Sequence, residues 1–180
     1  MNPPVSARLR LRPFAPEDVE LLRRLHQHPE VAATLGGVRT DEEVRGFARR
    51  YVAHWEAHGF GLRVWEDRRT GEPVGRGGLH VLMLDGRPEV EVGWAIVRER
   101  WGEGLATEGG GASLAEAWGT LGLREVVAVT LPDNHTSRRV MAKLGMTAEK
   151  EVMKGGLPHL LHRLRRPHGI GPGPGVARVA

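Results

Sequence analysis

Residues 101–106, Trp-Gly-Glu-Gly-Leu-Ala, form a glycine-containing turn in a position where it could bind an anion. The turn follows an apolar run, Val90 to Val97, and opens a segment with the pattern of a helix. A helix N-terminus carries unpaired backbone N–H groups and the positive end of the helix dipole, and glycines let a phosphate approach the backbone closely. The placement therefore predicts a phosphate site, although a G-x-G turn alone is a weak signal.

Asn134 and Ser137 form a second polar pair, at the start of a later helical pattern that ends at Gly145. Asparagine and serine suit a helix N-terminus, where either can cap free N–H groups. Each can also meet a ligand at such a position. The sequence leaves the capping and the ligand-binding interpretations open, and both can hold together.

Composition limits the chemistry that the chain can perform. There is no cysteine among the 180 residues, which excludes disulfides, thiolate zinc sites and a cysteine nucleophile. The nine histidines show no metal-ligand spacing, and the pairs His26/His28 and His54/His58 are interpreted as helix-surface residues, so no metal is expected. No apolar run approaches the ~18 residues of a membrane span, and the N-terminus does not resemble a signal peptide. We expect a cytoplasmic protein of one domain with no membrane partner.

The net charge of +4 is unevenly distributed. Residues 151–180 hold five basic groups and one acid, so the two signs balance over residues 1–150. A specific nucleic-acid binder usually shows a broad basic face. We therefore expect no direct nucleic-acid partner. The alternative would be nucleic-acid binding through Arg163, Arg165 and Arg166.

The hydrophobic patterns predict alternating strands and helices before a Gly/Pro-rich tail. The predicted strands cover 7–12, 62–66, 73–84, 89–97, 125–130, 147–153 and 160–164, and the helices open at Pro16, Thr40, Gly104 and Ser137. The strands 89–97 and 125–130 flank a helix, which predicts a parallel crossover pair, whereas the others follow hairpin-like turns. The fold class is therefore α/β (α+β), a mixed sheet with helices on both faces, and residues 167–180 are expected to be disordered.

This order of elements resembles the GCN5-related N-acetyltransferase (GNAT) family, with a closer likeness to its ribosomal-protein alanine acetyltransferase-like (RimJ/RimL-type) subgroup. The resemblance covers residues 8–166. The segments that carry it are Arg8–Phe14, Gly59–Gly61, Thr70–Glu72, Glu91–Trp94, Trp101–Glu108, Asn134–Ser137 and Lys143–Gly145. It implies a single domain with a mostly antiparallel sheet of six to seven strands, in which the parallel pair splays apart.

The resemblance also implies that acetyl-CoA is the co-substrate. The glycine turn would bind its pyrophosphate, and the pantetheine arm would lie between the splayed strands and pair with backbone groups there. The residues assigned to this role are Ile96, Val97, Trp101, Gly102, Glu103, Gly104, Leu105, Ala106, Thr107 and Asn134.

The implied reaction is direct acetyl transfer to an amine, which needs a proton acceptor for the amine and a proton donor for the thiolate. Many family members use a tyrosine as the donor, but the only tyrosine here is Tyr51, and Met141 occupies the usual place. The subgroup implies Ser137 as the donor. Glu91 and Glu149 are the candidate carboxylates, each with a solvent-facing strand position as the alternative.

Three features depart from the family pattern. Glu103 puts a carboxylate inside the phosphate turn, where repulsion at roughly 6 Å would reach about 3 kcal/mol before screening, unless Arg98 and Arg100 offset it. Gly109-Gly110-Gly111 costs a helix roughly 2.5–3 kcal/mol, so close packing or a soft first turn is expected. His159 replaces an aspartate that is common in the subgroup's last hairpin.

The leading hypothesis is an acetyl-CoA-dependent N-acetyltransferase acting on a primary amine, either a protein N-terminus, such as that of a ribosomal protein, or a small amine. Residues 31–39 and 153–159 would line the acceptor pocket. Both segments are poor in acids, which disfavours a strongly cationic acceptor. The alternative is a non-catalytic CoA-binding or interaction module of the same fold, and a homodimer is compatible with either.

Overall fold

The computed structural model describes residues 6–169, which form seven strands and five helices. The strands are β1 (Leu9–Pro13), β2 (Leu62–Asp67), β3 (Pro73–Leu84), β4 (Arg87–Ile96), β5 (Glu125–Thr130), β6 (Thr147–Lys154) and β7 (Leu157–Arg165). The helices are α1 (Val19–His26), α2 (Pro29–Ala33), α3 (Asp41–His58), α4 (Leu105–Gly119) and α5 (His135–Lys143).

The seven strands form one sheet in the order β1-β2-β3-β4-β5-β7-β6. Every neighbouring pair is antiparallel except β4 and β5, which are parallel and are joined through α4. A parallel pair needs a crossover connection, and the helical pattern between these strands supplies it. The predicted mixed sheet with a single parallel pair is confirmed.

Helices cover both faces of the sheet, as the sequence predicts. On one face α1 and α3 pack on Leu62 and Val64 of β2 and on Ala95 of β4. On the other face α4 and α5 pack on β3, β4 and β5, around Leu79 and Val126. Alternating residues of the central strands therefore serve two separate apolar layers.

Local signals fix the ends of the longest helix, α3. The Thr40 side chain accepts a hydrogen bond from the Glu43 N–H, and the Glu43 carboxylate accepts one from the Thr40 N–H at 2.8 Å. At the other end Gly59 adopts a left-handed conformation with φ of 70°. Both are standard helix boundaries, so the predicted capping box is confirmed.

The structure corrects the region around α1 and α2. A 3-10 turn at Pro16–Asp18 precedes α1, and the short helix α2 covers Pro29–Ala33, where the sequence predicts no helix. His26 was expected at the helix surface, yet it is 3% exposed and stacks on Phe47 with ring centroids 4.5 Å apart. The error arose because a histidine can serve as an aromatic core residue, which its polarity conceals.

The glycines of α4 make room for side chains from other elements. A Cβ at Gly109 would lie 2.4 Å from Cζ3 of Trp65, and one at Gly110 would lie 2.8 Å from Cδ1 of Leu144. At Gly111 the nearest atom is 4.0 Å away. Close packing is therefore the explanation for two of the three glycines.

The tail expected at residues 167–180 lies mostly outside the described residues, which end at Gly169. Within residues 6–169, no helix combines the length and apolar character needed to cross a bilayer.

Candidate active site

The parallel strands β4 and β5 are in register at a single pair of residues, Glu91 and Val127. Beyond this pair the strands separate towards their C-terminal ends. A cleft of about 1100 Å³ opens there, bounded by α3, the sheet, the turn before α4, the start of α5 and the β6–β7 hairpin. The predicted splay is therefore present, and it connects the glycine turn with the rest of the cleft.

The glycine turn presents free backbone donors to this cleft. Gly102 and Gly104 adopt left-handed conformations with φ of 83° and 79°. The first α4 hydrogen bond at the N-terminus runs from the Glu108 N–H to the Gly104 carbonyl. In the described chain, the N–H groups of residues 102–107 have no protein partner. Such a set of N–H groups at the N-terminus of a 15-residue helix fits a diphosphate.

Glu103 does not point a free carboxylate at this site. Its two oxygens accept hydrogen bonds from Arg100 at 2.6 and 2.9 Å, and the charge of Arg100 lowers the pKa of Glu103. Arg100 also contacts Asp67 at 3.0 Å. Arg98 instead pairs with Glu30, so of the two arginines expected to offset the charge only Arg100 does so. The charge of Arg8 contributes as well.

The backbone groups that face β5 differ in part from those expected. The N–H of Val97 donates to Val74 of β3, and its carbonyl accepts from Arg100, so Val97 is already satisfied. Successive residues of a strand direct their backbone groups to opposite edges. Trp94 and Ile96 are therefore the residues whose backbone faces the open side, and Val97 is not among them. The sequence predicts that β4 residues alternate between the two edges, but not which alternate set faces β5.

Asn134 caps α5, and Ser137 lies one turn further along the chain. The Asn134 Oδ1 accepts a hydrogen bond from the Ser137 N–H at 3.0 Å. Ser137 is thus not the cap, and its hydroxyl has no hydrogen-bond partner among residues 6–169. Both side chains line the cleft, so the predicted pair comes together there.

Glu91 occupies the point where β4 and β5 part. Its side chain is 6% exposed, so the solvent-facing alternative is wrong. One oxygen accepts hydrogen bonds from Lys154 Nζ at 2.9 Å and lies 3.1 Å from His80 Nε2, and the other lies 3.4 Å from the Val129 N–H of β5. Burial raises the pKa of Glu91, but His80 and Lys154 outweigh it and lower the pKa to about 2. The carboxylate is therefore held ionised.

The partners of Glu91 were missed in the sequence. His80 is directly opposite Glu91 in the β3–β4 register, and Lys154 ends β6. The Asp85-Gly86 hairpin turn fixes this register, so the pair His80–Glu91 could have been inferred by counting outward from it. Lys154 comes from a distant hairpin, and no local pattern points to it.

Glu149 is not brought together with the other candidates. It is exposed near the start of β6, does not line the cleft, and contacts Arg163 Nε at 2.5 Å. Arg163 also contacts Glu89 and Glu125 at 2.9 and 2.6 Å. This network accounts for Glu149 and engages an arginine that would otherwise have supported nucleic-acid binding.

The two segments predicted for the acceptor pocket both reach the cleft. Residues 31, 34–36 and 39 line it on one side, and Gly155, Leu157 and His159 of the last hairpin line it on the other. Helix α3 adds Phe47 and Tyr51 to the wall of the cleft. No group of three or more His, Asp or Glu side chains in the described ranges is arranged to hold a metal ion.

A comparison with family models matches residues 8–147 to the acetyltransferase (GNAT) domain. The chain belongs to the GNAT acetyltransferase family.

Three similar proteins illustrate the range of relatives. The FsC-acetyl coenzyme A-N(2)-transacetylase of Aspergillus fumigatus is 31% identical over 151 residues, which cover 79% of this chain and 63% of that protein. An acetyltransferase structure from Agrobacterium tumefaciens has 27% identity and a TM-score of 0.80, covering 90% of this chain and 93% of the other.

The third relative is a solved RimL, a ribosomal L7/L12 α-N-protein acetyltransferase in complex with coenzyme A. It has 16% identity and a TM-score of 0.71, covering 90% of this chain and 96% of the other. At this identity the likeness concerns the fold alone, and the narrower subgroup stays a prediction.

Proposed function

We propose that this protein is an N-acetyltransferase that moves the acetyl group of acetyl-CoA directly to a primary amine. The observation that carries the proposal is one cleft that joins the free N–H groups of the turn at residues 102–107 to Ser137 and to the ionised Glu91. Membership of the GNAT family supports acetyl-CoA as the acyl donor. The bound thioester supplies an activated acetyl carbon and a thiolate leaving group.

The turn and the open edge of β4 are proposed to hold the donor. The N–H groups of Gly102, Gly104 and the first turn of α4 would bind the diphosphate. Backbone groups of Trp94 and Ile96 would pair with the amides of the pantetheine arm as an added strand does. Asn134 fixes the start of α5 beside this arm and thereby sets the position of Ser137.

The acid and base roles follow from the polar groups of the cleft. The Ser137 hydroxyl, which has no other partner in the described chain, would donate a proton to the departing thiolate. Glu91, held ionised with His80 against it, would attract the ammonium form of the acceptor, which loses one proton to solvent before it can attack. The neutral amine then attacks and passes its second proton to Glu91. No covalent intermediate on the protein is required.

A non-catalytic CoA-binding module is the second candidate. Met141 favours it, because this side chain lines the cleft at the place where many family members carry the proton-donating tyrosine and cannot itself donate a proton. The two candidates make different predictions for thiol release.

The test is thiol release from acetyl-CoA with a panel of small amines and N-terminal peptides, for the wild type, Ser137→Ala and Ser137→Cys. We expect release with at least one acceptor, a loss of about tenfold or more in Ser137→Ala, and partial rescue by the cysteine, which again offers a proton. Acetyl-CoA binding without release from any acceptor would favour the module. Equal turnover in all three proteins would remove Ser137 from the mechanism.

A further inference from the structure

Arg76 lies on the floor of the cleft, on the same face of β3 as His80. Side chains at alternate positions of a strand share a face, so Arg76, Gly78 and His80 form a row. The β3–β4 register places this row beside Ala95, Gly93 and Glu91 in turn. Two glycines thus separate Arg76 from the His80–Glu91 pair, and they leave the floor between them without side chains.

Arg76 has no acidic partner in the part of the chain that the structure describes. It makes no ion pair and no hydrogen bond there, and its Nε is buried without a partner. Its guanidinium lies over the ring of Tyr51, 5.7 Å from the centroid. Other partly buried arginines are paired: Arg63 with Glu116, and Arg12 with Asp18 and Glu66. An arginine left unpaired in a cleft retains its capacity to bind an anion in a bidentate manner.

The electrostatics around Arg76 favour an anion. Seven arginine and lysine side chains line the cleft, whereas Glu91 is the one acidic residue among the described lining residues. Arg50, which lies over Phe47 at 4.5 Å, likewise has no ion pair in residues 6–169. Burial, together with the charges of Arg76 and Arg39, lowers the pKa of His26 to about 3. Arg76 and Arg50 therefore place positive charge in this part of the cleft without an acidic partner among residues 6–169, whereas Arg39 pairs with Glu43 at 3.4 Å.

We infer that the acceptor is a small primary amine that also carries a carboxylate, with its amine at Glu91 and its carboxylate at Arg76. The inference rests on the proposed acetyl transfer and specifies its substrate class. The four-residue separation of Arg76 and His80 spans about 13 Å between Cα atoms. An arginine side chain at one end and the Glu91 carboxylate at the other reach into this gap, which suits an acceptor of the size of one small molecule. Phe47 and Tyr51 supply an apolar wall beside it.

The free cation at Arg76 does not belong to the expected donor site. The turn at residues 102–107 and Asn134 follow β4 and β5, whereas Arg76 lies on β3 and contacts α3. A strongly cationic acceptor would meet Arg76 and Arg50 without a compensating acid other than Glu91. The acid-poor segments 31–39 and 153–159 disfavour a strongly cationic acceptor. The charge of the cleft disfavours it in the whole pocket.

The test compares ω-amino acids of two to five carbons with amino alcohols of matching length, so that the amine is kept and the carboxylate is removed. Steady-state acetylation is measured for the wild type, Arg76→Gln, Arg76→Lys and the control Arg87→Gln, whose side chain is exposed and outside the cleft. In the wild type we expect kcat/KM to favour the amino acid by about tenfold or more at one length at least, mainly through KM.

In Arg76→Gln the preference should fall to within about twofold while the amino alcohols are acetylated as before, and Arg76→Lys should recover part of it. The Arg87→Gln control should keep the wild-type preference. Equal use of both series at every length, or an equal loss for both series in Arg76→Gln, would overturn the inference.

Binding to the CoA-loaded protein, measured by calorimetry for the same pairs, separates this inference from the proposed function. If no acceptor is turned over but the amino acids bind more tightly in an Arg76-dependent manner, acetyl transfer fails and the anionic subsite stands. If both series bind equally, the subsite is wrong whether or not acetyl transfer occurs.

Discussion

At the residue scale, the chemistry depends on what holds each polar group rather than on its type alone. The sequence offers Glu91 and Glu149 as candidate carboxylates, with Glu149 the weaker of the two. The structure buries Glu91 between His80 and Lys154 and pairs the exposed Glu149 with Arg163. Burial without a partner would leave a carboxyl neutral, whereas the contacts with Lys154 and His80 keep Glu91 charged and able to attract an incoming ammonium group.

Replacing Glu91 by glutamine keeps its shape and removes its charge. We expect Glu91→Gln to lower kcat/KM by about 100-fold or more, because the amine loses its proton acceptor, while acetyl-CoA affinity changes little. The control is Glu89→Gln, the same change two residues away on β4, where the side chain pairs with Arg163 outside the cleft. Wild-type turnover in Glu91→Gln would remove this residue from the reaction.

The carboxylate of Glu103 engages Arg100 beside the phosphate turn. We expect Glu103→Gln to tighten acetyl-CoA binding by up to about fivefold at low salt, because Arg100 becomes available to the diphosphate and a like charge disappears. Calorimetric titration measures this. Glu99→Gln, with a side chain 65% exposed, controls for net charge. An unchanged or weaker affinity in Glu103→Gln would show that Arg100 does not reach the ligand.

His26 makes stability depend on pH. Its pKa is about 3 in the folded protein, against 6.5 for an ordinary histidine. Below pH 6.5 the unfolded chain binds a proton that the folded protein refuses, so stability falls with decreasing pH until about pH 3, and above 6.5 the effect vanishes. The free energy of unfolding, measured with urea, should fall between pH 7 and pH 5 in both proteins. The fall should be about 2 kcal/mol smaller in His26→Phe than in the wild type. The exposed His168→Phe serves as the control, and parallel losses in all three proteins would contradict the buried neutral ring.

At the scale of elements, α4 shows how a helix with weak propensity is retained by its contacts. Gly109 lies against the Trp65 ring and Gly111 does not touch a neighbouring element closely. Gly109→Ala should lower the free energy of unfolding by about 1–3 kcal/mol through overpacking. Gly111→Ala in the same helix should leave it unchanged or raise it by up to about 1 kcal/mol. Equal effects of the two changes in urea unfolding would contradict the packing described for Trp65.

The same elements show what the sequence could and could not predict. The strands, the parallel pair and the α3 capping box follow from local periodicity and end signals, and these predictions were confirmed. Helix α5 begins at His135, with Asn134 as its cap, rather than at the predicted Ser137. The sequence does not show which alternate residues of β4 face β5. It therefore predicts Val97 as a residue with its backbone at the open edge, where the structure has Trp94 instead. The short helix α2 and the burial of His26 depend on packing against α1 and α3, which involves residues distant in sequence.

At the scale of the whole molecule, the balanced charge of residues 1–150 conceals a strongly basic cleft. Its cations come from α3, β3, α5 and the last hairpin, while most acids pair with arginines elsewhere on the surface. Composition averages these contributions, and only the fold separates them. Within residues 6–169, the result is a cleft with free backbone donors at one end, an ionised carboxylate at its centre and an arginine without an acidic partner beyond it.

The most direct test of the central claim follows an isotopically labelled acetyl group from acetyl-CoA to product by mass spectrometry in a single turnover. We predict that the label appears on the nitrogen of the amine in amounts equal to the thiol released, with none on the protein. Label that stays on CoA in the presence of every amine, while acetyl-CoA remains bound, would contradict the claim that this cleft catalyses acetyl transfer.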